Sequence, residues 1–232
     1  MQKVTLKPGN GTLRAVLFDL DGTLLDSARV DVLVMGRLFR DDLGLELDER
    51  EISQYIGVSS REVLEQLAPD RLEELLAVWL GYHQDMITNI HLFPGVLETM
   101  RALSQAQLAL AVVTGQNRRE LEASRQHIAI DDLIDVWVSA DDAPFSKPHP
   151  APVRLALDAL GCPPTQAIMI GDTRFDMEAG RQAGTLLGAA LWGAKDPAQL
   201  LDYQPEYAFG HPEQVKDLLE VSRGQDIRAG LY

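Results

Sequence analysis

Three short apolar runs that each end in polar residues constrain this chain more than any other feature. They are "AVLFD" (Ala15–Asp19), "LALAVVTG" (Leu108–Gly115) and "AIMIGD" (Ala167–Asp172). Unbroken apolar, β-tolerant runs of this length suit strands buried on both faces. Shorter candidates follow in "DVWVSA" (Asp135–Ala140), "LLGAALW" (Leu186–Trp192) and "YAF" (Tyr207–Phe209). Helical patterns lie between them, over Val96–Gln105, Arg118–His127, Pro152–Leu160 and Phe175–Ala183. Strands alternating with helices predict βαβ units and hence an α/β fold, a doubly wound parallel sheet.

One segment breaks the alternation. From about Asp26 to Ile90 the periodicity is helical throughout, with no convincing strand. Ser27, Asp48, Ser60 and Asp70 are expected N-caps there, and Gly44 and Gly57 expected stops. The length favours a small helical domain over an elaborated crossover. The expected division is therefore a core of residues 1–24 and 92–232 with a helical insert over 25–91. A chain of 232 residues accommodates that, since domains usually run about 100–200 residues.

Charge and cysteine content narrow the partners. Asp and Glu number 35 against 21 Lys and Arg, a formal charge of −14. That excess argues against nucleic acid or an anionic membrane surface as a partner. It leaves small anions open, because a metal ion and a few placed cations reverse a local potential. The lone Cys162 cannot form an internal disulfide, which suits a reducing compartment. "MQKVTLKPGN" lacks the apolar core of a signal peptide, and no run reaches the ~20 apolar residues of a spanning helix. A cytoplasmic protein is the expectation.

In open α/β sheets, ligands bind beyond the carboxyl ends of the strands. Asp19 and Asp21 close the first run, Thr114 the second and Asp172 the third, while Lys147 stands in the loop "FSKPHP". Four segments thus deliver acid, hydroxyl or ammonium groups to one edge. Each has a plain structural reading too. An Asp beside Gly is often a turn residue or cap, Thr114-Gly115 could be a turn, and lysines are usually solvated. Asp172 and Asp176, four apart, could share a helix face and merely favour its dipole. Carboxylates at the end of a buried strand nonetheless need pairing or use, and four such coincidences would be required together.

"DLDGT" (Asp19–Thr23), "VVTG" (Val112–Gly115), "SKPHP" (Ser146–Pro150) and "GDTRFD" (Gly171–Asp176) resemble, in order and spacing, the four motifs of the haloacid dehalogenase-like hydrolase superfamily. The helical insert resembles the small cap of its phosphoglycolate phosphatase-like and β-phosphoglucomutase-like members. The resemblance extends to "AGRQAG" and "LWG" and leaves out only Met1–Thr12 and the last dozen residues, which are expected to be poorly ordered.

The resemblance implies a Rossmann-like core and an aspartyl-phosphate formed on Asp19. It implies Mg²⁺ held by the Asp19 and Asp172 carboxylates and the Asp21 carbonyl, with Asp176 supporting. Thr114 would donate to a phosphoryl oxygen and Lys147 would neutralise Asp19 and phosphate together. Gly22, Thr23 and Gly115 would border the phosphate. Asp21 would act as acid and then base, a role its crowded carboxylate neighbourhood suits by raising its pKa. The dehalogenase branch lacks this second aspartate. The Schiff-base branch is excluded because no lysine lies between Leu24 and Leu92.

The cap loop "YIGVSSREVL" (Tyr55–Leu64) supplies Ser59, Ser60 and Arg61 as candidate substrate contacts, with helix capping and solvent exposure as the alternative. An inward Arg61 would favour a second anionic group, as in phosphoglycolate or pyrophosphate. The expected activity is Mg²⁺-dependent hydrolysis of a small phosphorylated metabolite, by a monomer or homodimer. A phosphomutase, a pyrophosphatase and a non-catalytic binding protein are the alternatives. The last would be expected to have lost one of Asp19, Asp21, Lys147 or Asp172, and all four are present.

Overall fold

The computed structural model describes residues 12–222, so the expectation for the chain ends falls almost wholly outside the described residues. The chain opens with β1 (Ala15–Phe18) and the two-residue β2 (Leu25–Asp26). Helices α1 (Ala28–Asp41), α2 (Glu49–Ile52), α3 (Ser60–Leu67) and α4 (Leu72–Met86) follow, and β3 (His91–Leu92) returns the chain to the sheet. Thereafter α5 (Val96–Gln105), β4 (Ala109–Val113), α6 (Arg118–His127) and β5 (Val136–Val138) alternate. Helix α7 (Ala151–Leu160), β6 (Ala167–Gly171), α8 (Arg174–Ala183), β7 (Leu186–Ala190), α9 (Pro197–Asp202) and β8 (Tyr207–Phe209) continue the pattern.

The six longer strands form one parallel sheet in the order β5-β4-β1-β6-β7-β8. Strand β1 lies between β4 and β6, with Phe18 level with Val112 on one side and Ile170 on the other. The chain winds outward from β1 through β4 to β5 and then crosses to β6. The order therefore reverses beside β1, and the crevice of a doubly wound sheet opens there.

Both faces of this sheet are covered, which is why its strands read as unbroken apolar runs. Val16, Phe18, Leu110, Val112, Ile168 and Ile170 belong to one buried cluster. Ala15, Leu17, Ala111, Val113 and Met169 face the other way, in a cluster with Val153 and Leu157 of α7 and Ala179 of α8. The expected core elements are all present, with ends shifted by a residue or two where strands pass into site loops.

The helical insert leaves and re-enters through β2 and β3, which pair antiparallel, Leu25 opposite Leu92 and Asp26 opposite His91. Two residues carry no legible period, so this ladder escaped the sequence pattern. Helix α1 packs on α4, and Val34, Leu38, Phe39, Leu75 and Trp79 join the apolar cluster of the first sheet face.

Three of the expected caps need correction. Asp48 caps α2 through a reciprocal pair with Glu51. Ser59, not Ser60, caps α3 by accepting from the Glu62 amide at 3.3 Å. Asp70 lies in the short 3₁₀ turn Pro69–Arg71, which starts with Pro and displaces the α4 cap to Arg71. Ser27 precedes α1 without capping it, because its hydroxyl donates to Asp31 at 2.8 Å instead.

Leu38 is fully buried whereas Leu33 on the same helix is 48% exposed. Leu38→Ala should cost about 2–5 kcal/mol in urea unfolding, and Leu33→Ala no more than about 0.5 kcal/mol. Equal losses would place the α1 core face wrongly.

Candidate active site

Position explains the site better than composition does. Strands β1, β4 and β6 end at one level, so the residues just beyond them converge. The Asp19 amide donates to the Ile170 carbonyl at 2.8 Å, continuing the β1–β6 ladder one step past the last strand residue. The Asp19 side chain therefore stands at the carboxyl edge with its backbone already fixed.

Lys147 ties three segments together. Its Nζ donates to Asp19 Oδ1 at 2.5 Å, to the Val113 carbonyl at 2.8 Å and to Asp176 Oδ1 at 2.7 Å. The residue is only 6% exposed, so the ammonium spends all three donors on protein oxygens. Burial works to lower its pKa, but Asp176 and Asp19 outweigh burial and hold it above a lysine's usual value. Lys147 is thus a fixed cation.

Asp176 is fully buried. Its other oxygen accepts from the Thr173 amide at 3.0 Å and the Thr173 hydroxyl at 2.7 Å. Asp172 precedes α8, whose N-cap is Thr173, so the two aspartates do not share a helix face. Thr23 Oγ1 donates to Asp172 Oδ1 at 3.0 Å. Gly22 has φ of +78°, and a Cβ there would sit 2.3 Å from Asp172 Oδ2. This position requires glycine for both conformation and space.

Oxygens of Asp19, Asp172 and Asp176 lie within 4.8 Å of one another. Burial pushes the Asp19 carboxyl up to about 7, against the pull of Lys147 and with Asp176 and Asp21 adding to the push. Asp172 is raised well above the usual range by burial, then by Asp19 and Asp176. One lysine does not balance this crowd of carboxylates. An all-oxygen, anionic donor set with a deficit of positive charge fits a hard divalent cation.

Asp21 is held separately. Its Oδ2 accepts from Gln116 Nε2 at 2.9 Å, while its Oδ1 is buried without a hydrogen-bond partner. Burial raises its pKa, opposed first by His83. Thr114 is buried, and its hydroxyl accepts from the Gln116 amide at 3.1 Å.

The cap closes over this edge. A cleft of about 1500 Å³ lies between cap and core, lined by Asp19, Asp21, Gly22, Gly115, Lys147 and Asp172 among others. Ser60, His83 and Asp31 border it from the cap side. Ser60 Oγ donates to Glu120 Oε1 of α6 at 2.8 Å, a buried contact across the two units. Glu120, 3% exposed, also accepts from the Asn117 amide at 2.8 Å. Burial pushes Glu120 up to about 7, and the Ser60 and Asn117 hydrogen bonds offset this only in part. Ser146 donates to Glu62 of α3 as a second cap–core contact.

The candidate cap contacts are not brought together. Ser59 is spent on capping α3. Arg61 faces α4 rather than the cleft, pairing with Glu73 at 3.0 Å and with Glu65 at 3.8 Å, its side chain 39% exposed. Two glutamates already neutralise it, so the expectation of an inward guanidinium is corrected. Ser60 does border the cleft, but with its hydroxyl committed to Glu120. Sequence reasoning missed Gln116, Glu120, His83 and Asp31. Gln116 follows Thr114-Gly115 directly and had a positional signal; the others depend on how the cap packs.

Residues 16–190 match the family described as haloacid dehalogenase-like hydrolase. The chain is 30% identical over 212 residues to pyrophosphatase PpaX of Bacillus velezensis, covering 90% of this chain and 95% of that protein. It is 29% identical over 221 residues to pyrophosphatase PpaX of Listeria monocytogenes, covering 93% and 99%. A solved structure described as a predicted phosphoglycolate phosphatase from Haemophilus somnus superposes with a TM-score of 0.79 at 25% identity, covering 90% of this chain and 99% of that one.

Two outcomes test the geometry. In calorimetric titration with Mn²⁺, Asp172→Asn should weaken binding roughly ten-fold or more, and Arg61→Ala should leave it unchanged. Wild-type affinity in Asp172→Asn would remove this carboxylate from the cation site. The second outcome concerns pH. Glu120 binds its proton more tightly folded than unfolded, where 4.5 is usual. The native state therefore holds more protons between about pH 4.5 and 7, and stability falls as pH rises through that window. In EDTA, the urea midpoint of Glu120→Gln should decline less over that range than that of the parent protein. Parallel slopes would show that Glu120 titrates normally.

Proposed function

The chain belongs to the haloacid dehalogenase-like hydrolases, and from that premise we propose a Mg²⁺-dependent phosphatase that hydrolyses a small phosphate monoester of the phosphoglycolate type through an aspartyl-phosphate. The observation carrying this reading is the buried Asp19 carboxylate, pinned by Lys147 beside Asp172 and Asp176. A second carboxylate, Asp21, lines the same cleft.

Asp19 approaches a phosphoryl group that is already anionic, so the reaction needs positive charge more than covalent help. Lys147 supplies a permanent share of it. Mg²⁺ would be held by Asp19 and Asp172 and by the Asp21 carbonyl, with Asp176 in support. It would neutralise phosphoryl oxygens and orient the ester for in-line attack. An Asp19 oxygen attacks phosphorus, the bond to the ester oxygen breaks, and Asp21 gives that oxygen a proton. Water then attacks the acyl-phosphate, Asp21 takes back a proton, and phosphate leaves with Asp19 restored. Thr114 and the Gly22–Thr23 and Gly115 backbone would border the transferred group.

Burial raises both Asp19 and Asp21, which has opposite value for the two. A raised pKa equips Asp21 to carry a proton near neutrality. It handicaps a nucleophile; Lys147 opposes it at Asp19, and a cation held there would oppose it further.

Pyrophosphate is the second reading, favoured by the similarity to proteins named pyrophosphatase PpaX. With Arg61 turned away, neither substrate has an arginine from α3 to hold its second charge. A phosphomutase would share the core residues and differ only in returning the phosphoryl group to a sugar before water acts.

Hydrolysis of 4-nitrophenyl phosphate should require Mg²⁺, stop with EDTA and vanish in Asp19→Asn; near-native turnover in that variant would remove Asp19 as nucleophile. Phosphate release from phosphoglycolate, pyrophosphate and a sugar 1-phosphate with its bisphosphate then ranks the readings. A 6-phosphate product in place of free phosphate would identify a mutase.

A further inference from the structure

Asp21 is held on one oxygen by a short side-chain relay. Gln116 Nε2 donates to Asp21 Oδ2 at 2.9 Å, and Ser124 Oγ donates to Gln116 Oε1 at 3.0 Å. The Gln116 backbone is fixed on both sides. Its amide donates to Thr114 Oγ1 at 3.1 Å, and its carbonyl accepts from the Ala140 amide at 2.8 Å. The Ser124–Gln116 bond is buried, and the Gln116–Asp21 bond lies at the wall of the cleft.

The amide has a single sensible direction. Turned over, Gln116 would set its carbonyl oxygen against the Asp21 carboxylate, and the Ser124 hydroxyl would have to find another acceptor. With the amide as it stands, its N–H holds Oδ2, and the carboxyl cannot rotate without breaking that bond.

We propose that Gln116, locked by Ser124, is the positioning residue of Asp21: it fixes the rotation of the carboxyl that passes a proton to the leaving oxygen. This rests on the reading of Asp21 as acid and base. Gln116 need not touch the substrate to act; it removes the freedom of the carboxyl to rotate. Orientation of a proton donor is worth most where the leaving group needs the proton most.

Leaving-group dependence therefore separates this role from a structural one. Phenyl phosphate expels an oxygen of pKa about 10 and needs the proton, whereas 4-nitrophenyl phosphate of nearly the same shape leaves with little help. The quantity to compare is kcat/KM, which reports steps up to phosphorylation of Asp19 and not the later hydrolysis. Gln116→Leu keeps the bulk and removes the donor. It should lower kcat/KM for phenyl phosphate by about ten-fold or more and for 4-nitrophenyl phosphate by no more than about three-fold. Ser124→Ala should shift the ratio the same way by a smaller factor, and it carries the test should Gln116→Leu fail to fold.

Asp21→Asn is the reference. A large discrimination there, with parallel losses on both esters or none in the Gln116 and Ser124 variants, overturns the proposal alone. No discrimination in Asp21→Asn itself overturns the acid assignment beneath it. Mn²⁺ affinity should be unchanged in Gln116→Leu, and a matching fall in that affinity would mark a collapsed site and count against positioning.

Discussion

The contact on which this molecule depends is the Lys147 ammonium among three oxygens from three segments. Asp19 follows β1, Val113 ends β4 and Asp176 opens α8 beyond β6. No single strand could hold a buried lysine, because an isolated ammonium in the interior is heavily penalised. Three acceptors make the burial tolerable, and the same bonds fix the spacing of strand ends that otherwise meet only through the sheet ladder. Removing one partner would leave a buried charge unmatched, which typically costs about 3–5 kcal/mol. Fold and chemistry share this interaction and cannot be separated by mutation there.

Close backbone approach is the second constraint. A Cβ at Gly22 would collide with Asp172, one at Gly171 with Asp176, and one at Gly193 would lie 1.6 Å from the Gly22 carbonyl. Loops from β1, β6 and β7 therefore pack main chain against main chain or against carboxylates. Trp192 adds a hydrogen bond from its indole to the Thr23 carbonyl at 3.0 Å. The Asp19–Thr23 turn is walled in before any ligand arrives, which is the preorganisation that electrostatic catalysis needs.

What was legible in the sequence follows from range. The buried strands announce themselves because residues on both faces are apolar, and the helices of the core because their period and flanking turns agree. Convergence of Asp19, Lys147 and Asp172 was inferable because sheet topology fixes where strand ends go. Gly22 and Thr23 came instead from the resemblance of the Asp19–Thr23 motif to its family. The cap was harder, because its helices are short and their phase is set by tertiary packing. Arg61 illustrates the cost of reading residue type over helix position. Counted from the Ser59 cap, it stands four residues before Glu65 on one face, a spacing that itself suggests a surface pair. Glu120, Ser124 and His83 look like ordinary helix residues in one dimension; Glu120 gains its buried role from Ser60 of the cap and Ser124 from Gln116 beyond β4.

The paired strands β2 and β3 set Leu25 beside Leu92, so the whole insert hangs from two neighbouring points. Opposed residues in such a ladder lie only about 5 Å apart, a gap a tight turn could bridge at small loop-closure expense. The junction is therefore a natural grafting point: a different helical module could be spliced there while the scaffold around Asp19 stayed whole. The real obstacle to exchange is the apolar surface of α1 and α4 that merges with the sheet-side cluster. The insert is separable at its junction and welded along its lining.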